Sequence, residues 1–323
     1  MKTLAHYKNG NYVVRLYEDG TKIRASKDDT FVPEFAENID IKITNSCAHN
    51  CRFCHEGSTP NGLHGDIMNL PFFDSLHEGQ EVAIGGGNAL EHPDFENLLH
   101  KLKDKKVITN ITLQLSDIRD NLPLIDRLSS EDLIYGIGCS ISRSNEVGDF
   151  LEIIYKQKNK KLRERLVFHL INGLPFFSTD LETLNDCGKK YKDIKVLVLG
   201  YKKLRRGLTL LNDTSIDVKA DAENVYKLIK HSYFKTISFD NLALEQLDIK
   251  SVLSEKEWNL LYMGDDGTST FYIDCVTETF AQSSTAPFDK RYPLMDSVDD
   301  MFKTIVKENR WFSFFLWLEY GNN

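Results

Sequence analysis

Long apolar runs are missing from this chain: nowhere do about eighteen consecutive apolar residues occur, so no membrane span is expected. Positive charge is also in short supply. The 48 acidic residues outnumber 40 basic ones, leaving a net charge of −8 and a pI near 5.6. A protein that tracks a phosphate backbone presents a basic surface, so long nucleic acid is not the expected substrate. The densest basic stretches, Lys156–Arg165 and Lys202–Arg206, read as solvated helix faces or loops. The first residues hold neither a long apolar core nor a small-residue cleavage site, which argues against secretion and for a cytoplasmic location. No solenoid-type repeat and no low-complexity tract appears. Cysteine is scarce too: of six, three crowd into Cys47–Cys54, and Cys139, Cys187 and Cys275 stand singly. That distribution does not make a disulfide framework and fits metal binding in a reducing compartment.

What the chain does have is a regular alternation. Tyr12–Tyr17 and Thr21–Arg24, joined by Glu18-Asp-Gly20, read as a hairpin within Asn11–Ala25. From Ile39 onward strand and helix patterns alternate, as in a parallel sheet with crossover helices. Strands are predicted at Ile39–Thr44, Glu81–Ile84, Ile111–Leu115, Leu133–Cys139, Leu166–Ile171 and Ile194–Leu199. Helices are predicted near Asp66–Leu76, Pro93–Lys103, Leu122–Leu128, Asp149–Lys160 and Asp180–Lys190. Six such units make an α/β partial (βα)6 barrel over residues 37–205, preceded by an N-terminal hairpin extension (1–36) and followed by an α+β C-terminal extension (206–323). In that extension Ala222–His231 and Asn241–Leu247 read as helices and Thr236–Phe239 as a strand. Thr268–Ala281 is an alternating run after the Asp265-Asp-Gly267 turn. A helix over Ser297–Asn309 has Ser297 as its N-cap and acidic residues in its first turn. The aromatic run Trp311–Leu318 reads as buried packing.

The chemistry concentrates after the first barrel strand. Cys47, Cys51 and Cys54 form Cys-x-x-x-Cys-x-x-Cys on one loop, with Phe53 before the last thiol. Thiolate is the soft ligand that iron–sulfur clusters require, and three of them can hold three irons of one [4Fe–4S] cube, leaving the fourth open. A closed Cys3His zinc site with His49 or His55 is the competing arrangement. One unit later, Gly85-Gly86-Gly87-Asn88 follows the second strand, where the absence of Cβ atoms admits a ligand close to the backbone.

Both motifs resemble those of the radical S-adenosylmethionine (radical SAM) superfamily. The resemblance covers roughly Ile39 to Tyr201. It implies one [4Fe–4S] cluster on Cys47, Cys51 and Cys54, whose open iron chelates the methionine moiety of S-adenosyl-L-methionine. It further implies reductive cleavage to a 5′-deoxyadenosyl radical that takes hydrogen from a substrate. An electron donor such as flavodoxin or ferredoxin is then required. The Gly85–Asn88 loop takes the place of an element that binds the cofactor's amino group. Asn88 stands where an acidic residue is common, so its amide oxygen or the carboxylate of Glu91 is the expected acceptor.

By the same resemblance Ser140, Ser142 and Arg143, ending the fourth strand, contact ribose or carboxylate. Gln114, Ser116, His169 and Asn172 are candidates of the same kind, and the backbone at Gly200 and Tyr201 flanks adenine. The tail is similar in outline to a cysteine-poor, degenerate SPASM/twitch domain; with Cys275 as its one cysteine, no second cluster is expected. Cys275 reads as a buried small residue or as a hydrogen donor to a substrate radical. For the substrate, a peptide or protein side chain is favoured, the N-terminal hairpin offering a strand edge for β-augmentation. A small metabolite or nucleotide stays open, as do a zinc-stabilised binding protein and an electron-transfer iron–sulfur protein.

Overall fold

The computed structural model describes residues 2–28, 30–141, 146–213 and 216–308. The chain begins with β1 (Thr3–Asn9), β2 (Tyr12–Tyr17) and β3 (Lys22–Ser26). Then come β4 (Asn38–Thr44), β5 (Glu81–Gly86), α1 (Phe95–Asp104), β6 (Ile108–Gln114), α2 (Leu115–Asp120), α3 (Leu122–Ser130) and β7 (Gly136–Ser140). The pattern continues with α4 (Val147–Lys156), α5 (Lys160–Arg165), β8 (Leu166–Ile171), α6 (Phe177–Lys190) and β9 (Lys195–Leu199). Next are α7 (Arg206–Asp213), α8 (Ala222–His231), β10 (Thr236–Phe239), α9 (Asn241–Gln246) and α10 (Glu255–Leu261). The chain returns through β11 (Thr270–Asp274), β12 (Thr279–Ala281) and β13 (Tyr292–Pro293) to a helix at 298–308. No helix among the described residues is long and apolar enough to cross a membrane.

These elements gather into two compact units. The first joins residues up to Ala48, Ser58–Asn110 and residues from Gly264 onward; the second joins His49–Gly57 and Ile111–Met263. In the first, β5, β4 and β11 run parallel in that order, and β12 and β13 continue the sheet antiparallel. In the second, β7, β8, β9 and β10 run parallel. Both sheets sort their residues by side-chain alternation. Ile39, Ile41 and Ile43 of β4 and Val82 and Ile84 of β5 are fully buried, while Asp40, Lys42 and Gly85 take the opposite face. Phe168 and Leu170 of β8 and Val196 and Val198 of β9 are likewise buried, leaving His169, Ile171, Leu197 and Leu199 on a half-open face. In each unit the strands thus have one apolar, fully buried face and one that holds the more accessible residues.

Several elements depart from the sequence expectation. The N-terminal hairpin is two strands of a three-stranded antiparallel sheet, because β1 pairs with β2. The pattern of Thr3–Asn9 conceals this, since one of its two buried residues is polar: Asn9 donates to the Phe35 carbonyl at 2.9 Å and accepts from the Glu34 and Phe35 N–H groups. Asp66–Leu76 holds only a 3-10 turn at Pro71–Ser75, since Pro71 removes an interior hydrogen bond and Asn69 closes a side-chain turn on Asp66. Asp149–Lys160 is two helices, because Asn159 is extended and caps α5 through the Lys161 N–H. The basic stretch Lys156–Arg165 is not solvated throughout: buried Arg165 donates to the Ser129 and Ile134 carbonyls and pairs with Asp132. Ser297 does cap the last described helix, accepting from the Asp299 N–H at 3.2 Å. Trp311–Leu318 lies outside the described residues.

Candidate active site

In the first unit, β4 and β5 are parallel, so the loops that leave their C-terminal ends emerge side by side. The β4 loop carries Cys47, and its backbone is held from three directions. Cys47 donates its N–H to the Thr59 carbonyl at 2.9 Å, within a ribbon that also joins Asn45 to Leu63 and Thr59 to Asn45. The glycine loop supplies the second grip: Gly87 N–H bonds the Thr44 carbonyl at 2.8 Å and Asn88 N–H bonds the Ser46 carbonyl at 2.7 Å. Glu91 is the third. Its carboxylate accepts from Ser46 Oγ at 2.5 Å and from the Ala48 N–H at 3.0 Å, bracketing Cys47.

The three glycines have different reasons to be glycine. A Cβ on Gly87 would lie 2.0 Å from the Ser46 carbonyl oxygen. Gly86 adopts φ +106°, and a Cβ there would lie 2.5 Å from the Thr44 carbonyl oxygen. Both are required by contact between the two loops. At Gly85 a Cβ would meet nothing within 4 Å, and the residue is only half-buried. The first unit therefore leaves an opening against bare backbone at this glycine. Gly85 is in register with Lys42, whose neighbour in β11 is Asp274; Lys42 and Arg291 flank that buried carboxylate at 3.3 and 3.5 Å.

Asn88 caps the 3-10 turn Ala89–Glu91: its amide oxygen accepts from Leu90 N–H at 3.1 Å. The oxygen that the resemblance gave to a cofactor amine thus already accepts one bond from its own turn and keeps a second lone pair. Cys275 is 2 % exposed and begins the turn after β11, packed against Gly65. Burial, together with Asp274 and Glu278, pushes its thiol well above the usual cysteine range.

In the second unit, Cys51 and Cys54 close a turn, Cys54 N–H bonding the Cys51 carbonyl at 3.2 Å. Gln114, ending β6, approaches Cys51 Sγ with its amide nitrogen at 3.9 Å. His49 bonds Asp117 at 2.8 Å and His55 lies 3.3 Å from Glu56. Each histidine thus turns its Nε2 to a carboxylate. The Lys202–Arg206 stretch corrects the expectation of a solvated loop: Arg206 Nε donates to the Cys51 carbonyl at 2.9 Å and Arg205 Nη1 to the His55 carbonyl at 2.8 Å. Phe53 belongs to the same turn, its carbonyl facing Gly207, where a Cβ would lie 3.3 Å from it.

The remaining predicted contacts fall in distinct places. Ser140 shares the half-open face of β7 and β8, in register with His169. Ser142 and Arg143 lie outside the described residues. His169 covers Gly138, where a Cβ would come within 2.2 Å of the ring. Burial pushes the His169 imidazole down to about 4, and its Nδ1 has no hydrogen-bond partner among the described residues. Asn172 is fully buried and donates to the Val218 carbonyl at 2.8 Å and to Gln246. Gly200 donates its N–H to Asp240, and the Tyr201 peptide groups are bonded by Gln246. Glu91, Arg205 and Arg206 are the residues whose roles the sequence concealed, since each acts on a chain segment distant from it in sequence.

Among the described residues no three His, Cys, Asp or Glu side chains converge on one point to hold a single metal ion. A cube asks for something else, because each thiolate takes its own iron and the sulfurs stay apart. All six cysteines are thiols, and Cys47, Cys51 and Cys54 are half-buried, whereas Cys139 and Cys275 are buried. The donor chemistry of three thiols on one loop fits a cluster, and within the first unit the opening at Gly85 lies beside the segment that carries Cys47.

The fold defines an α/β protein with a mostly parallel sheet. Over most of its length it is shared with SuiB of Streptococcus suis. A crystal structure of SuiB bound to S-adenosylmethionine matches at a TM-score of 0.50 and 15% identity, covering 78% of this chain and 61% of that one. A structure of SuiB bound to precursor peptide SuiA matches at a TM-score of 0.49 and 15% identity, covering 78% and 60%. This chain thus spans about three fifths of the length of SuiB. No protein-family model and no curated protein matches the sequence.

Proposed function

We propose that this chain is a radical S-adenosylmethionine enzyme built on a partial (βα)6 barrel, with one [4Fe–4S] cluster and a peptide or protein side chain as substrate. The observation that carries the reading is Gly85, a glycine with open space over its Cβ position beside the loop that presents Cys47. The fold shared with a protein crystallised with S-adenosylmethionine supports the choice of cofactor. Cys47, Cys51 and Cys54 would each hold one iron, and the bound group supplies one-electron reduction of the sulfonium.

The chain's own residues do the rest. Glu91, Thr59 and the glycine loop hold the Cys47 backbone in place. Gly85 leaves room for the methionine end of the cofactor. The Asn88 oxygen accepts one bond from its own turn and keeps a second lone pair, which the cofactor's ammonium can use together with backbone carbonyls of the glycine loop. Ser140 offers a hydroxyl on the accessible face of the second unit. Asn172, Gly200 and Tyr201 act as scaffold, since their bonds to Val218, Asp240 and Gln246 fix the segments that follow β8 and β9. A peptide substrate suits the N-terminal sheet, in which, among the described residues, β3 pairs with β2 alone and keeps an edge.

The test is anaerobic reconstitution with iron and sulfide, then dithionite reduction with S-adenosylmethionine. A brown protein with about four irons per chain that releases 5′-deoxyadenosine is expected. A colourless protein holding one zinc and releasing none would overturn the proposal.

A further inference from the structure

Two short segments of the second unit carry positive charge out of keeping with the acidic chain. Residues 49–57 and 202–206 hold Arg52, Lys202, Lys203, Arg205 and Arg206 against a single carboxylate, Glu56, which is 5% exposed. Two of these cations, Arg205 and Arg206, hold the downstream segment to the turn that carries Cys51 and Cys54. Arg206 bonds the Cys51 carbonyl, Arg205 bonds the His55 carbonyl and lies 3.6 Å from Glu56, and Gly207 brings the start of α7 against the Phe53 carbonyl. The backbone stays there even though Arg205 adopts φ +47°, a left-handed conformation that non-glycine residues seldom take. Arg52, Lys203 and Arg205 are exposed, and Leu208, 47% exposed, adds an apolar spot at their edge.

We infer that this surface docks an acidic electron-carrier protein of the flavodoxin or ferredoxin kind, which reduces the cluster held by the neighbouring thiolates. The inference rests on the function proposed above. A net-negative chain repels an acidic carrier at long range, so productive encounters need a local positive field where the electron must enter. The second unit puts that field on the backbone of two of the three ligand cysteines. The step is one electron lost by the carrier's reduced flavin or iron–sulfur group and one gained by the group on the loop; no bond breaks and no proton moves.

The test uses the reconstituted holoprotein with flavodoxin, its reductase and NADPH, compared with dithionite. Lys203→Glu is the variant, because Lys203 is exposed and outside the bonds that hold the turn. Lys256→Glu, on exposed α10, is the control. Lys203→Glu is expected to weaken flavodoxin binding in calorimetry, and to raise the KM for flavodoxin, by about 3- to 10-fold at low salt. High salt should erase the difference, and dithionite-driven cleavage should match wild type. Wild-type flavodoxin affinity in Lys203→Glu, or binding that ignores salt, would overturn the docking surface and leave the enzyme reading intact. Loss of oligonucleotide binding in place of flavodoxin binding would also overturn it. Absence of dithionite-driven cleavage in the wild type would overturn the proposed function itself, and this inference with it.

Discussion

Glu91→Ala should loosen the loop around Cys47. The carboxylate accepts two hydrogen bonds, one from Ser46 Oγ at 2.5 Å on a residue 6% exposed, the other from the Ala48 N–H at 3.0 Å on an exposed residue. A buried hydrogen bond to a charged group contributes about 1.5–3 kcal/mol, and an exposed one contributes less than about 1 kcal/mol. The loss is therefore about 3 kcal/mol, confined to residues near 44–48 because the bonds to Thr59 and Asn88 remain. Since about 1.4 kcal/mol is tenfold in an equilibrium, local opening should become about a hundredfold more frequent. Hydrogen exchange followed by mass spectrometry on the apo protein reads this directly in the peptide spanning Thr44–Ala48. Glu91→Gln separates geometry from charge. Its amide oxygen can accept from Ala48 N–H while its NH2 group donates to Ser46 Oγ, so only about 1 kcal/mol should be lost. Wild-type exchange in Glu91→Ala, or equal effects of the two substitutions, would refute the assignment of Glu91 as the brace of this loop.

The glycines should separate cleanly. Gly85→Ala should leave the melting temperature of the apo protein unchanged or slightly higher, since alanine is favoured over glycine in a strand by roughly 0.5–1 kcal/mol, yet should abolish detectable S-adenosylmethionine binding by calorimetry on the reconstituted protein. Gly87→Ala should lower the melting temperature and the iron content together, because its Cβ would lie 2.0 Å from the Ser46 carbonyl oxygen. His169 should contribute an acid-sensitive part of stability. Burial depresses its imidazole to about 4, below the unfolded value of about 6.5, so on acidification the unfolded chain takes up this proton before the folded one does. Its contribution is complete above about pH 6.5 and is lost as pH falls toward 4; urea midpoints across that window should fall less steeply in His169→Gln, and an unchanged slope would count against the burial. In the apo protein iodoacetamide should label Cys47, Cys51 and Cys54 well before Cys139 and Cys275, whose thiols are buried and raised by desolvation. Peptide mapping that finds Cys275 labelled first would contradict its position.

Where periodicity was strong, the sequence was legible. Leu166–Ile171 and Ala222–His231 occur with the bounds their periodicity implies, because each buries one face of a short element, and Thr236–Phe239 occurs as expected through its pairing with β9. Legibility failed where a distant segment decided the conformation. Thr3–Asn9 is a strand because Asn9 is satisfied by residues 34 and 35; Asp66–Leu76 failed for a local reason instead, since Pro71 within it interrupts a helix. Charge misled through distant partners. Arg165, Arg205 and Arg206 look solvated in sequence, yet they bond carbonyls of segments 31 to 155 positions away.

The spacing of three thiols on one loop, the run of glycines one strand later and the alternation that makes strands with one apolar face are written in the order of residues. All of these are local in the chain, so they can be read without knowing what lies across from them. Folding is what fills the space over Gly86 and Gly87 from the neighbouring chain while leaving Gly85 open, sets Glu91 to brace Cys47 while Asn88 caps a turn, and brings a basic stretch 150 residues downstream onto the cysteine turn. One cause underlies all three. A glycine, a carboxylate or a guanidinium takes its role from the groups that fill its contact shell, and in a folded chain those groups come from distant segments.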